Sequence, residues 1–455
     1  MNPMDYVNAG KQGPYKLYID GQYVPSVSGK TQDCVNPATN EVFAQAYHGG
    51  VEDAEKAVKA ARRAFDEGPW GRMAARDRSR ILMKAGQIME RRAEEFAVLE
   101  SLECGYHYGS ARYYCVPMAV DSFNFFAGKA RDLEGKVVPS DYGTLNYVTW
   151  NPVGVVAEIL PWNGPYLMGC QKINAILAAG NTCVIKPPTW GVLALLQLAG
   201  VYEEAGLPAG VFNVVTGSGG EVGAYLTKHP DVDMVAMTGG IETGREVIRN
   251  SAERVKDIAL ELGGKSPCIV DETADITLSA RRIIWGKLLN AGQTCVAPDY
   301  VLAHEKIYDK LIEQMKKYII GFYGERPLQD GNYPKIINEK HYDRLASLVE
   351  ASNVIYGGGM NPETCQIEPT LIQADWDSEI MKDEIFGPLL PVLKFSNLKE
   401  AADAIKDRPK PLALYYFTTS AAGKDFITRN ISYGGGCIND TIVHLANPNI
   451  PFGGV

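Results

Sequence analysis

Val153-Gly-Val-Val-Ala-Glu-Ile159 is an apolar, β-branched run, and four more follow it: Cys183-Val-Ile185, Val211-Phe-Asn-Val-Val215, Met234-Val-Ala-Met237 and Ile258-Ala-Leu260. Helical stretches of roughly ten to fifteen residues separate them. Strands apolar on both faces are buried on both faces, the condition of a parallel sheet covered by its own crossover helices. Alternation sustained over residues 154–260 therefore predicts a doubly wound α/β sheet. In such a sheet ligands bind beyond the carboxyl ends of the strands, so the residues just after each run are the first to search for chemistry.

Outward from this block, a second α/β series runs over residues 266–436, with helices near 275–290, 306–320 and 397–406 and strands near 300–303 and 412–417. Upstream, residues 17–45 alternate short extended segments with turns. One long helical stretch over 51–105 carries Leu82, Met83, Ile88, Met89, Phe96 and Leu99 at helical spacing. Residues 140–150 alternate around Tyr147, Val148 and Trp150 as a hairpin arm does. Its open edge must be covered, which predicts a homo-oligomer, dimer or tetramer.

The 455 residues are too many for one hydrophobic core. Hydrophobic residues at 46% and charged residues at 22% fit an ordinary globular chain. A net charge of −9 with no basic stripe argues against nucleic acid or an anionic membrane as partner. The nine cysteines are odd in number and scattered, without a Cys-x-x-Cys pair. That argues against a disulfide scaffold or a metal site and for a reducing, cytoplasmic compartment. The start, Met1-Asn-Pro-Met-Asp-Tyr6, has no basic or apolar region of a secretory signal. The longest apolar run, near 173–185, is interrupted by Asn174, Gly180 and Asn181 and falls short of a membrane span.

Four segments carry possible chemistry. In Asn290-Ala-Gly-Gln-Thr-Cys295 a glycine-containing turn follows a helix, where backbone N–H groups can polarise a carbonyl that a thiolate attacks. On this segment alone an inert buried cysteine is the better reading. In Leu260-Glu-Leu-Gly-Gly-Lys265, Glu261 ends an apolar strand, either as a general base with a pKa raised by burial or as half of an ion pair. Leu160-Pro-Trp-Asn-Gly-Pro165 follows the first strand, where a dinucleotide would lie, and Asn163 can donate to an oxyanion; alone it reads as a turn. Val184-Ile-Lys-Pro-Pro-Thr189 places Lys186 at a strand end, for ribose or phosphate binding or simply at the surface. The clusters Thr216-Gly-Ser-Gly-Gly-Glu-Val-Gly223 and Thr238-Gly-Gly-Ile-Glu-Thr-Gly244 allow close backbone approach to a pyrophosphate, but neither is the usual first-turn fingerprint.

Taken jointly, in this order, PWN, VIKP, the TG-x(4)-G turn, ELGGKSP, GQTC and EIFGP resemble the aldehyde dehydrogenase superfamily over nearly the whole chain. The resemblance implies a Rossmann-type cofactor domain (1–138 and 151–262), an α/β catalytic domain (263–436) and a small β oligomerisation arm (139–150 and 437–455). It implies NAD or NADP as cofactor and an aldehyde as substrate. Cys295 is then the nucleophile, Asn163 with the Cys295 backbone N–H the oxyanion hole, and Glu261 the base that activates water. Lys172 supports that network. Cofactor contacts fall on Trp162, Lys186, Thr189, Gly219, Thr238, Gly239, Gly240, Leu262, Glu384 and Phe386. Relatives that pass the acyl group to coenzyme A tend to lack the glutamate, so its presence points to hydrolysis. The rival readings are a cysteine-dependent esterase or thioesterase, which would release no reduced cofactor, and a non-catalytic protein on the same fold.

Several positions depart from the family pattern. Thr189 stands where many NAD-preferring members carry a glutamate that repels a 2′-phosphate, which predicts that NADP is accepted. Gly240 replaces a common serine and forgoes one hydrogen bond, about 0.5–1.5 kcal/mol. Gly164 replaces a bulky aromatic, which suggests a wider tunnel for aromatic or longer aliphatic aldehydes. Up to about Ser266 the chain resembles the betaine-aldehyde and general branch. Beyond it, Thr294-Cys-Val-Ala-Pro-Asp299, Asn338-Glu-Lys-His-Tyr-Asp-Arg344 and Gly436-Cys-Ile-Asn-Asp440 resemble the fatty and aromatic branch, a pattern that suggests recombination. The family normally continues beyond Pro451-Phe-Gly-Gly-Val455, so truncation or an unusual ending is expected to affect assembly.

Overall fold

The computed structural model describes residues 13–329 and 333–454; the Met1–Tyr6 stretch read above for a leader lies outside them. The chain forms two compact units: Met1–Asn36, Glu41–Cys104 and Tyr108–Leu260 in one, Pro37–Asn40, Gly105–His107 and Glu261–Val455 in the other.

The first unit is built on the five apolar runs. Its sheet is ordered Asp257–Leu262, Met234–Gly239, Val155–Ile159, Thr182–Lys186, Phe212–Val214, Leu17–Ile19, Gln22–Val24. Val155–Ile159 pairs in parallel with Thr182–Lys186 on one side and Met234–Gly239 on the other, so the strand order reverses there. That reversal is a topological switch point, and the Pro161-Trp-Asn segment follows Ile159 at it. Val155, Val156, Val184 and Ile185 are completely buried, as strands covered on both faces require.

The long helical stretch is three helices, Val51–Asp66, Ala75–Arg91 and Ala93–Cys104, rather than one. Pro69 lacks the N–H to continue the first, and a Cβ at Gly68 would stand 2.3 Å from the Ala64 carbonyl oxygen. The arm is a hairpin of Lys136–Val138 antiparallel to Asn146–Val148, so its first strand lies ahead of residue 140; every residue of both strands is exposed.

The second unit carries another seven-stranded sheet: Asn353–Tyr356, Thr370–Gln373, Leu389–Phe395, Tyr300–His304, Pro267–Val270, Ala413–Phe417, Gly435–Ile438. Only the first pair is antiparallel. The anticipated helices are Ile276–Leu288, Tyr308–Tyr323 and Leu398–Lys406. A further one, Glu339–Glu350, is started by Asn338, whose side chain accepts from the His341 N–H at 3.0 Å. No helix among the described residues is long and apolar enough to cross a membrane.

Candidate active site

Helix Ile276–Leu288 ends in a reversal that sets Cys295. Asn290, Ala291 and Gly292 take φ of 50°, 53° and 76°, three left-handed residues in succession. Such geometry costs about 1–2 kcal/mol at each non-glycine position and must be held by its surroundings. Gln293 holds it: its side-chain amide donates to the Asn290 and Lys335 carbonyls (3.1 and 2.9 Å) and accepts from the Ile337 N–H (3.0 Å). A Cβ at Gly292 would stand 2.2 Å from the Gly387 carbonyl oxygen, so only glycine lets this turn dock on the Glu384-Ile-Phe-Gly387 loop. Beyond the thiol, the Tyr415 hydroxyl donates to the Val296 carbonyl at 2.6 Å.

The Cys295 thiol is partly exposed. Burial pushes its pKa up to about 12, the Glu384 and Glu261 carboxylates push the same way, and the backbone N–H groups of Cys295 and Val296 act against them. The structure thus brings Cys295, Glu261 and Glu384 into one electrostatic neighbourhood. Glu261 lies in strand Asp257–Leu262 and is half-buried, as is Leu262 after it. Glu384 lies against Gly263, where a Cβ would stand 1.9 Å from its Oε2. Burial and the Asp299 carboxylate raise the pKa of Glu384 to about 8, while the Gly264 N–H lowers it. Phe386 takes a φ of 50°, a strained value for an aromatic residue.

A buried ion pair ties these loops together. Lys265 Nζ meets Asp299 Oδ2 at 2.6 Å and donates to the Ile380 and Asp383 carbonyls (2.9 and 2.8 Å). Asp299 Oδ1 accepts from the Ile385 N–H at 3.0 Å, and Arg344 donates to the Ile385 carbonyl at 2.6 Å. Lys287 is 1% exposed, without a hydrogen-bond partner among the described residues, and burial lowers its pKa to about 8.

The first unit positions the remaining residues. Asn163 is 6% exposed and Trp162 half-buried, just ahead of helix Pro165–Ala178. Between them and the helix, Gly164 has φ of +150°, so backbone conformation is a reason for glycine there besides any widening of a tunnel. On that helix Lys172 Nζ pairs with Glu158 Oε1 at 3.3 Å. Glu158 is fully buried: burial raises its pKa to about 7 and Lys172 opposes the rise. Lys186 closes strand Thr182–Lys186 at 5% exposure, with its pKa lowered to about 8 by burial. Thr189 lines a cavity with Asp33, Cys34, Phe43, Glu103 and Trp190. The Glu103 carboxylate caps the next helix, Val192–Ala205, by accepting from the Leu193 and Ala194 N–H groups (2.7 and 2.9 Å). Gly219 opens a turn in which Ser218 Oγ accepts from the Glu221 N–H at 3.1 Å. Thr238 and Gly239 end strand Met234–Gly239, with Thr238 Oγ1 buried and without a partner among the described residues. Gly240 caps helix Ile241–Ser251, with open space where its Cβ would be.

Reading the residues in order did not single out Lys265, Asp299, Gln293 or Tyr415. The first three lie inside the quoted segments, but their function is to brace neighbours, and bracing depends on partners from 34 to 118 positions away. Tyr415 sits in an apolar strand with nothing local to distinguish it. No cluster of metal-binding side chains occurs among the described residues.

The fold and site define a class: a doubly wound α/β protein with a second α/β unit that holds a loop cysteine near two carboxylates. Comparison with known proteins agrees. The aldehyde dehydrogenase family model matches residues 23–455. A mitochondrial benzaldehyde dehydrogenase of Antirrhinum majus is 36% identical over 452 residues, 96% of this chain and 84% of that protein. The crystal structure of an NAD-dependent aldehyde dehydrogenase from Sinorhizobium meliloti superposes with a TM-score of 0.91 at 35% identity, covering 94% of this chain and 88% of that one. A betaine aldehyde dehydrogenase from Staphylococcus aureus, in complex with NAD+, gives 0.92 at 31%, covering 97% and 90%. The chain belongs to the aldehyde dehydrogenase family, and its activity is the oxidation of aldehydes.

Proposed function

We propose that the protein oxidises an aldehyde to its carboxylic acid through a thioester on Cys295, with NAD or NADP as the hydride acceptor. The observation that carries this reading is the convergence of Glu261 and Glu384 on the Cys295 thiol. Burial above all, with Glu384 and Glu261 acting the same way, holds the thiol protonated at rest, so sulfur gives up its proton only as it adds to the carbonyl. Glu261 is assigned the activation of water that hydrolyses the thioester. The Cys295 backbone N–H donates to the tetrahedral oxyanion, and Asn163 is assigned the second donor on the family likeness. Lys172, paired to Glu158, is assigned to hold the asparagine segment through helix Pro165–Ala178, which follows that segment.

The residues of the first unit suit a dinucleotide. Thr238 offers a buried hydroxyl without a partner among the described residues, Lys186 a buried cation at a strand end, and Gly240 an open helix N-terminus, where phosphate oxygens bind. We assign Lys186 and Thr189 to the adenosine ribose, Trp162, Gly219, Thr238, Gly239 and Gly240 to the backbone approach, and Leu262, Glu384 and Phe386 to the nicotinamide riboside. When bound, the cofactor supplies the acceptor for the aldehyde hydrogen. Thr189 presents no carboxylate to a ribose 2′-phosphate, which favours use of NADP; the NAD-bound relative supports NAD. The likeness to a benzaldehyde dehydrogenase supports aromatic aldehydes as a substrate class. The exposed hairpin is assigned to an interface between copies of the chain, and the reducing composition to the cytoplasm.

A pre-steady-state assay tests the mechanism. Glu261→Gln should release about one reduced cofactor per site in a burst and then turn over slowly, because acylation outruns hydrolysis. Cys295→Ser should give no burst. Acid released from an ester substrate, with no reduced cofactor formed from an aldehyde, would identify an esterase instead. In the same assay, an NAD preference of 100-fold or more, about 2.7 kcal/mol, would overturn the reading of Thr189.

A further inference from the structure

Of the nine cysteines, seven are buried and only Cys295 and Cys437 reach the surface. Cys437 lies in the edge strand Gly435–Ile438, and its Sγ stands 3.6 Å from Nδ1 of His444, on the short turn Val443–Ala446. His444 is 7% exposed, and its Nε2 is buried without a partner among the described residues. A buried imidazole with one nitrogen on a thiol and the other on nothing is an outlier among satisfied polar groups. Its placement is fixed: the ring lies over Gly435, where a Cβ would come within 2.6 Å of Cδ2, and 6.0 Å from the Tyr415 ring. Arg282 and Asp440 pair at 2.6 Å beside the sulfur, and the backbone N–H groups of Val443 and His444 act on it.

We propose that Cys437 and His444 form a second nucleophilic site that takes soft carbon electrophiles of the α,β-unsaturated carbonyl class. Burial raises the thiol pKa and lowers that of the imidazole, so the pair rests neutral and reacts when the ring takes the proton. Sulfur bonds to the β-carbon, the carbon–carbon π bond breaks, and the thiol proton passes to Nδ1 and then to the α-carbon. Nothing is oxidised or reduced, and no co-reactant is needed. Addition to a saturated aldehyde would put an alkoxide beside the sulfur, where the nearby N–H groups already serve the thiol. Conjugate addition puts the charge on a remote enolate and needs no such donors.

The test is site-resolved mass spectrometry of full-length protein treated with trans-2-hexenal and reduced with borohydride. It is run in wild type and in Cys295→Ser, so that its outcome is independent of turnover at Cys295. Cys437 should form adduct at least about tenfold faster than each of the seven buried cysteines, and His444→Gln should remove at least about tenfold of that rate, the low end for a positioned base. Cys437→Ser should lose that adduct alone. Labelling of Cys437 at the rate of the buried thiols in wild type overturns the proposal without any variant. So does an unchanged rate in a His444→Gln protein with native circular dichroism.

Discussion

At the scale of single residues, the thiol of Cys295 is shaped by its neighbours more than by its own chemistry. Burial and two carboxylates hold it protonated, with a pKa near 12. Its folded pKa lies above the ordinary thiol value, so the thiolate fraction should rise about tenfold per pH unit between pH 7 and 10. Alkylation by iodoacetamide without cofactor should follow that slope. Glu384, with a pKa raised to about 8, is mostly ionised at pH 9 and mostly neutral at pH 7. Glu384→Gln should therefore speed alkylation at pH 9, where it removes a negative charge, and change it little at pH 7. A rate at pH 9 equal to that of wild type would show that the carboxylate does not act on the sulfur.

At the scale of elements, the site is an agreement among three loops that meet at Gly292, Gly387 and the Lys265–Asp299 pair. Lys265 is 13% exposed and Asp299 4%, so removing one partner leaves a charge buried and unpaired. Lys265→Met should cost about 3–5 kcal/mol in urea unfolding, and Lys265→Met with Asp299→Leu should recover part of it. A loss under about 1 kcal/mol would mean that water reaches Asp299. This scale also marks what was legible in the sequence. Strands Val155–Ile159, Thr182–Lys186 and Phe212–Val214 were legible because full burial leaves an unbroken apolar signature, whereas Asp257–Leu262 is a half-exposed edge strand; Cys295, Glu261 and Asn163 lie in dense segments of fixed order. The left-handed turn at Asn290 and Ala291 left no trace, because two non-glycine residues hold a conformation imposed by Gln293, Lys335 and Ile337. The break at Gly68-Pro69 was present in the letters, but the apolar spacing on either side read through it.

At the scale of the whole molecule, the hairpin is the feature a lone chain does not explain. Val137 is 73% exposed, Tyr147 67% and the neighbouring Trp150 68%, and every residue of both strands of this ribbon is exposed. Such a ribbon is marginal in water, and its apolar surface with open strand edges favours pairing with another chain. A net charge of −9 opposes close approach of two copies only weakly, because separations beyond roughly 8 Å are screened at physiological salt. Assembly through the hairpin should therefore persist at moderate ionic strength and fail when the ribbon is made hydrophilic. Light scattering coupled to gel filtration should give a dimer or tetramer for the native chain. With Val137→Glu and Tyr147→Lys together the mass should fall to that of a monomer, while circular dichroism stays native because these side chains support no core. A mass unchanged by the double substitution would place the interface elsewhere.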